Sequence, residues 1–170
     1  MIDINQVPSF YQGYVKQLSE GTVIKNLRTS GETLVDLVAN LSEEQGAYAY
    51  ASDKWSIKEV ILHIVDSERI FAYRALRFAR NDKTDLPGFE QNDYVPQSRA
   101  NNRDMNSLIS EFLTVRVAST SLFESFREET MKRTGTANGY PVSVEAIGYI
   151  ISGHCLHHAN IIKERYLNGH

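Results

Sequence analysis

The chain has 170 residues, a hydrophobic share of 42%, a charged share of 23% and a formal net charge of -3, which suits one folded domain over residues 1–170 and excludes a disordered chain. The negative balance and the lack of any Lys/Arg cluster argue against nucleic-acid binding, and no stretch approaches membrane-spanning length. Cys155 is the single cysteine, which excludes an intrachain disulfide and, with no basic and apolar leader in MIDINQVPSF, points to a reducing cytoplasm.

Apolar residues recur at helical spacing in four long segments, and no sustained two-residue alternation is present. A short helix is expected after Pro8, using Phe10, Tyr14 and Leu18 up to Gly21. The first long helix runs from about Thr22 to Asn40, with Gly31 as its weak point. The second begins at Ser56, where S-I-K-E has the form of a capping box with Glu59, and continues to about Phe78. The stretch NDKTDLPGFEQNDYVPQSRANN then breaks every helical pattern. A connection of that length is uncommon in a compact domain and is often a lid or a crossover.

A third long helix is expected over about Arg103 to Arg127, followed by a break at RTGTANGYP. Ser143 caps a last helix that reaches about Leu167, with Glu145 in its first turn where the helix dipole favours a carboxylate. The expected fold class is all-α: a four-helix bundle with one long crossover connection and a short N-terminal helix.

Three histidines stand out. His154 and His158 are four residues apart, hence about one turn apart on one helix face, where a cation can bridge both imidazoles. Around that helix Val144 and the isoleucines centre roughly 30° from His154; His158 falls about 40° away and His157 about 60° the other way. His157 is therefore expected on the rim. The apolar residues of the second helix centre roughly 80° from His63, which places His63 at the border of the core among Glu59, Asp66, Ile70, Arg74 and Arg77. Asp66, at i+3, is positioned to orient the His63 imidazole as a carboxylate behind a metal ligand does. By itself His63 reads as an ordinary boundary residue, and packed imidazoles without metal are the competing explanation for the pair.

The position after His154 is Cys155, not the glutamate of a zincin H-E-x-x-H motif, so a zincin-type peptidase is not expected. Cys155 projects about 100° from His154 and reads as a packed thiol. His170 is assigned no role.

The stretch KWSIKEVILHIVDSERIFAYRALRFAR, the segment LPGFEQNDYV and the ending SGHCLHHANIIKERYL, in this order and spacing, resemble the DinB-like superfamily, which includes bacterial thiol transferases of the YfiT type. The likeness covers about Pro8 to Leu167. It implies a four-helix bundle holding a divalent metal, often nickel or zinc, with His63, His154 and His158 at the three ligand positions.

For activity, the resemblance implies transfer of a low-molecular-weight thiol such as bacillithiol or mycothiol to an electrophile, thiol-dependent isomerisation, or metal-dependent hydrolysis. The alternative is a non-catalytic metal- or small-ligand-binding bundle of the stress response. Tyr73, Arg74 and Arg77 are candidates for binding an anionic or polar small-molecule substrate, and residues 81–102 for covering the pocket; Asp93 and Tyr94 within them read as structural. Relatives are often dimers, so a homodimer is expected, without a nucleic-acid or membrane partner.

Overall fold

A computed structural model describes residues 2–167; His170 lies outside them. The opening helix forms as two 3-10 turns, Ile4–Gln6 and Ser9–Tyr11, leading into the one-turn helix α1, Gln12–Val15. Helix α2, Val23–Val38, starts where Thr22 accepts the amide of Lys25. A short helix absent from the sequence expectation, α3 (Glu43–Ala47), follows with its own capping box of Ser42 and Gln45. Helix α4 spans Ile57–Ala79 behind the anticipated box of Ser56 and Glu59.

The following connection is not structureless. It contains α5, Gln91–Ser98, with Pro96 inside it, and a 3-10 turn at Ala100–Asn102. Side-chain capping by Glu90 starts α5, and Arg99, in the left-handed region at φ 52°, ends it. Helix α6 (Met105–Glu124) and the one-turn α7 (Glu128–Met131) come next.

The break expected at RTGTANGYP is a β-hairpin, β1 (Thr134–Ala137) against β2 (Tyr140–Ser143), and qualifies the all-α reading. Its two-residue loop, Asn138-Gly139, has both φ values positive, at 52° and 78°, as hairpin turns that match strand twist require. Ser143 ends β2 and caps α8, Val144–Ile161, which continues in wider π-helical turns over Ile162–Leu167.

The four long helices close a ring in which α2 and α4 each pack against both α6 and α8. The core has two apolar clusters. One holds Leu27, Phe71, Phe78, Phe123, Ile147 and Ile150; the other holds Leu34, Ile61, Val65, Leu108, Phe112 and Ile162. Along α2 and α8 the chain meets the first cluster before the second, and along α4 and α6 the reverse, so α4 and α6 run parallel to each other and opposite to α2 and α8. That direction explains the crossover. Having ended α4 at the hairpin, where Leu86 pairs with Ala137, the chain must return along its 23 residues, about 34 Å of helix, to begin α6. It arrives at Asn101, which accepts from the hydroxyl of Ser56 at 2.7 Å.

Between the clusters the buried side chains turn polar: Ser30 on α2, Ser67 and Glu68 on α4, Arg116 and Ser119 on α6, Ser152 and His154 on α8. Arg116 forks onto both carboxylate oxygens of Glu68 at 2.8–3.1 Å and donates its remaining nitrogen to the Leu27 carbonyl and the Ser30 hydroxyl. A Cβ at position 31 would come within 3.1 Å of that nitrogen, so the glycine that weakens α2 is what admits the guanidinium. The Cys155 thiol donates to the Ser30 carbonyl at 3.4 Å and brings α8 into the same knot.

Candidate metal centre

His63 lies in the second turn of α4, its ring 4.9 Å from that of Trp55, the residue before the Ser56 cap. Although the phase of the apolar residues places it at the core border, it is 5% exposed. The difference arises because α4 also buries Ser67, Glu68 and Arg74, polar positions that hydrophobic periodicity assigns to the outside. His154 is 6% exposed, and His158 is partly buried.

The three Nε2 atoms converge. That of His154 stands 3.1 Å from His63 and 3.2 Å from His158, and one donor atom from each residue falls within 4.8 Å of the others. An imidazole nitrogen offers one in-plane position, occupied either by a proton or by a lone pair, so Nε2 of His154 can hydrogen-bond only one of these neighbours. A single cation satisfies all three. Nitrogens about 2.0–2.1 Å from a metal are separated by about 2.9–3.4 Å at octahedral to tetrahedral angles, so the spacings of 3.1 and 3.2 Å from His154 fit a divalent ion on one face with further positions open.

The electrostatics also suit a cation. Burial lowers His63 to about 4. It lowers His158 to about 3, with repulsion from His63 and His157 adding to the effect. His154 is held well below its ordinary value by burial first and by the neighbouring imidazoles second. All three are therefore neutral near pH 7, the state in which imidazole is a ligand.

Aromatic rings enclose the group. Phe71 is 6.1 Å from His154 between ring centroids, and Tyr14, brought in by the packing of α1 on α8, is 5.5 Å away. His157 packs at a tilt against Tyr14, 4.9 Å between ring centroids, and its Nδ1 is 3.4 Å from the Gln17 amide. It stays on the rim. Cys155 is fully buried, and burial raises its thiol.

The other candidates are placed elsewhere. Asp66 pairs with Arg69 at 3.6 Å, and among the described residues no hydrogen bond joins it to His63; burial raises its carboxyl. Tyr73, half exposed, is bonded by Arg77, which also pairs with Asp82, so these form a surface cluster beyond the imidazoles. Arg74 is buried and donates to the Pro87 carbonyl at 2.7 Å. Asp93 is exposed, and Tyr94 packs on Phe89. Residues 81–102 dock on the hairpin and along α4, and among the described residues no hydrogen bond or ring contact joins them to the three imidazoles.

The Glu68–Arg116 pair carries no local sequence signal, since its members are 48 residues apart on different helices. Tyr14 was legible only as an apolar position of the opening helix.

The family model of the DinB superfamily matches residues 26–162. Among solved structures, YfiT from Bacillus subtilis, described as a probable metal-dependent hydrolase with an unusual four-helix bundle topology, superposes with a TM-score of 0.73 at 16% identity, covering 84% of this chain and 82% of that one. A mycothiol-dependent maleylpyruvate isomerase superposes with a TM-score of 0.69 at 10% identity, covering 94% of this chain and 62% of that one. No curated protein sequence matches the chain. No helix among the described residues is long and apolar enough to cross a membrane.

Proposed function

The chain belongs to the DinB superfamily, and on that footing we propose a divalent-metal-dependent enzyme in which His63, His154 and His158 hold nickel or zinc and a low-molecular-weight thiol is transferred to an electrophile. The supporting observation is the convergence of three neutral imidazoles within a wall of rings. When bound, the cation supplies a Lewis acid that lowers the pKa of a thiol or a water.

The residues around the imidazoles favour the thiol. Metal-assisted hydrolysis commonly needs a carboxylate base to take a proton from water, and the carboxylate nearest in sequence to His63 at its own level of α4, Asp66, is engaged with Arg69. A thiol starts from a far lower pKa and gives its proton to solvent without such a base. Trp55, Phe71 and Tyr14 present an apolar surface suited to a soft sulfur nucleophile. In the transfer the sulfur forms a bond to the electrophilic carbon, and the leaving group departs with its electron pair.

Hydrolysis is the second reading, favoured by the description of YfiT. The test is a screen of metal-loaded protein with bacillithiol, mycothiol and glutathione against general electrophiles, beside ester and amide panels without thiol. Conjugation that requires both thiol and metal is expected. Thiol-independent hydrolysis would move the assignment to the second reading, and inactivity in both panels would favour a non-catalytic metal- or ligand-binding bundle.

A further inference from the structure

Among the described residues three cationic side chains are buried, Lys58, Arg74 and Arg116, each 4–5% exposed. Lys58 has Glu43 at 2.6 Å and Arg116 has Glu68 at 2.8 Å. Arg74 has no carboxylate partner among the described residues. Its partners are neutral: the Pro87 carbonyl, the Tyr11 hydroxyl, and the ring of Phe71, whose centroid is 5.8 Å from the guanidinium carbon. Buried charges are normally paired because desolvating them costs several kcal/mol, and a guanidinium carries five N–H donors, of which two neutral oxygens satisfy only part.

The unpaired guanidinium lines a small cavity together with Tyr11 and Phe71, closed by Pro8, Ala137 and Ile150. Its size suits about one water molecule, hence a single oxygen atom of a ligand whose remaining atoms lie outside it. The cavity is one aromatic layer from the imidazoles, since Phe71 contacts both Tyr11 and His154. Arg74 follows His63 by eleven residues, which returns it to within about 20° of the same face of α4, roughly 16 Å along the axis. The side chain leans back toward the helix N-terminus and shortens that span.

We propose that Arg74, with the Tyr11 hydroxyl beside it, is the binding site for a carboxylate of the substrate. The ligand class is an elongated carboxylic acid whose thiol end reaches the three histidines, at a separation on the order of 10 Å. The assignment of the sulfur end rests on the metal-enzyme reading above; the carboxylate end rests on Arg74 alone.

The test uses cobalt-loaded protein in chloride-free buffer and reads the visible spectrum during titration with paired ω-mercaptoalkanoates and ω-mercaptoalkanols of three to ten carbons. The acid is expected to bind roughly tenfold more tightly than the alcohol of equal length once the chain is long enough to span, the effect of one charge-assisted bond. Arg74→Gln should abolish that preference while leaving alcohol affinity and metal content unchanged, and Arg74→Lys should restore part of it. Equal affinity of acid and alcohol at every length in the wild type, or a preference that survives in Arg74→Gln, overturns the proposal. The wild-type comparison stands even if the variant does not fold.

If no thiol perturbs the spectrum, the thiol reading fails separately. Arg74 is then judged by the thermal midpoint of metal-free protein with octanoate and octanol. A rise with octanoate alone that Arg74→Gln removes supports the carboxylate site, and its absence refutes it.

Discussion

Nε2 of His63 and Nε2 of His154 stand 3.1 Å apart, although 91 residues separate them in the chain and the two histidines enter from different helices. Two neutral imidazoles can share a proton at that distance, but His158 approaches the same nitrogen at 3.2 Å. A third lone pair directed at one point is a repulsive arrangement until a positive charge occupies it.

Metal affinity should therefore depend unequally on neighbouring histidines. His158→Ala removes one of the three donors and is expected to weaken nickel or zinc binding by about 100-fold or more, whereas His157→Ala, whose ring lies against Tyr14 and Gln17, should change it by less than about threefold. Competition against a chelating dye measures both. Equal losses would show that His157 is a ligand.

Acid should destabilise the metal-free protein. His63 and His158 titrate at about 4 and about 3 in the folded chain, against about 6.5 when unfolded. Between pH 6.5 and pH 4 the unfolded chain binds protons that the folded one refuses, so stability is full above pH 6.5 and falls as the pH drops through that window. Thermal midpoints between pH 7.5 and pH 4.5 should decline, with a shallower slope in His63→Phe. A flat profile in the wild type would contradict the burial of these rings.

Glu68→Gln should cost about 3–5 kcal/mol in chemical denaturation, because it leaves the buried Arg116 charge without its carboxylate. Joint replacement, Glu68→Leu with Arg116→Met, should recover most of that loss. A single variant as stable as the wild type would mean that the pair is not buried in solution.

Ser67 gives the opposite expectation. Its buried hydroxyl has no hydrogen-bond partner among the described residues, so Ser67→Ala should be neutral or stabilising by up to about 1 kcal/mol. A loss above about 1 kcal/mol would reveal a partner, such as an ordered water.

Local chemistry made much of the fold legible. The Ser56 box and the Ser143 cap begin α4 and α8 where the side-chain oxygens require, and i, i+4 spacing aligned His154 with His158. The hairpin had a signal as well, since Asn-Gly commonly marks such a turn, but strands of four residues are too short to show alternation. Helix α5 was hidden by Pro96 and by few apolar residues, of which Val95 alone is buried. The depth of His63 and the pairing of Arg116 were not legible for a common reason. Hydrophobic periodicity sorts residues by type, whereas these are buried because a partner from another helix meets them.

The polar layer between the two apolar clusters gives the bundle a seam. On either side, packing resists separation without specifying a chemical partner; across the seam, helices are joined by directional contacts that are lost when one member is removed or protonated. A cation at the histidines would act as a rivet at the edge of that seam, linking the second turn of α4 to the second half of α8. Backbone amides near His63 and His154, inside their helices and hydrogen-bonded, would then be the ones whose protection depends most on whether the rivet is in place.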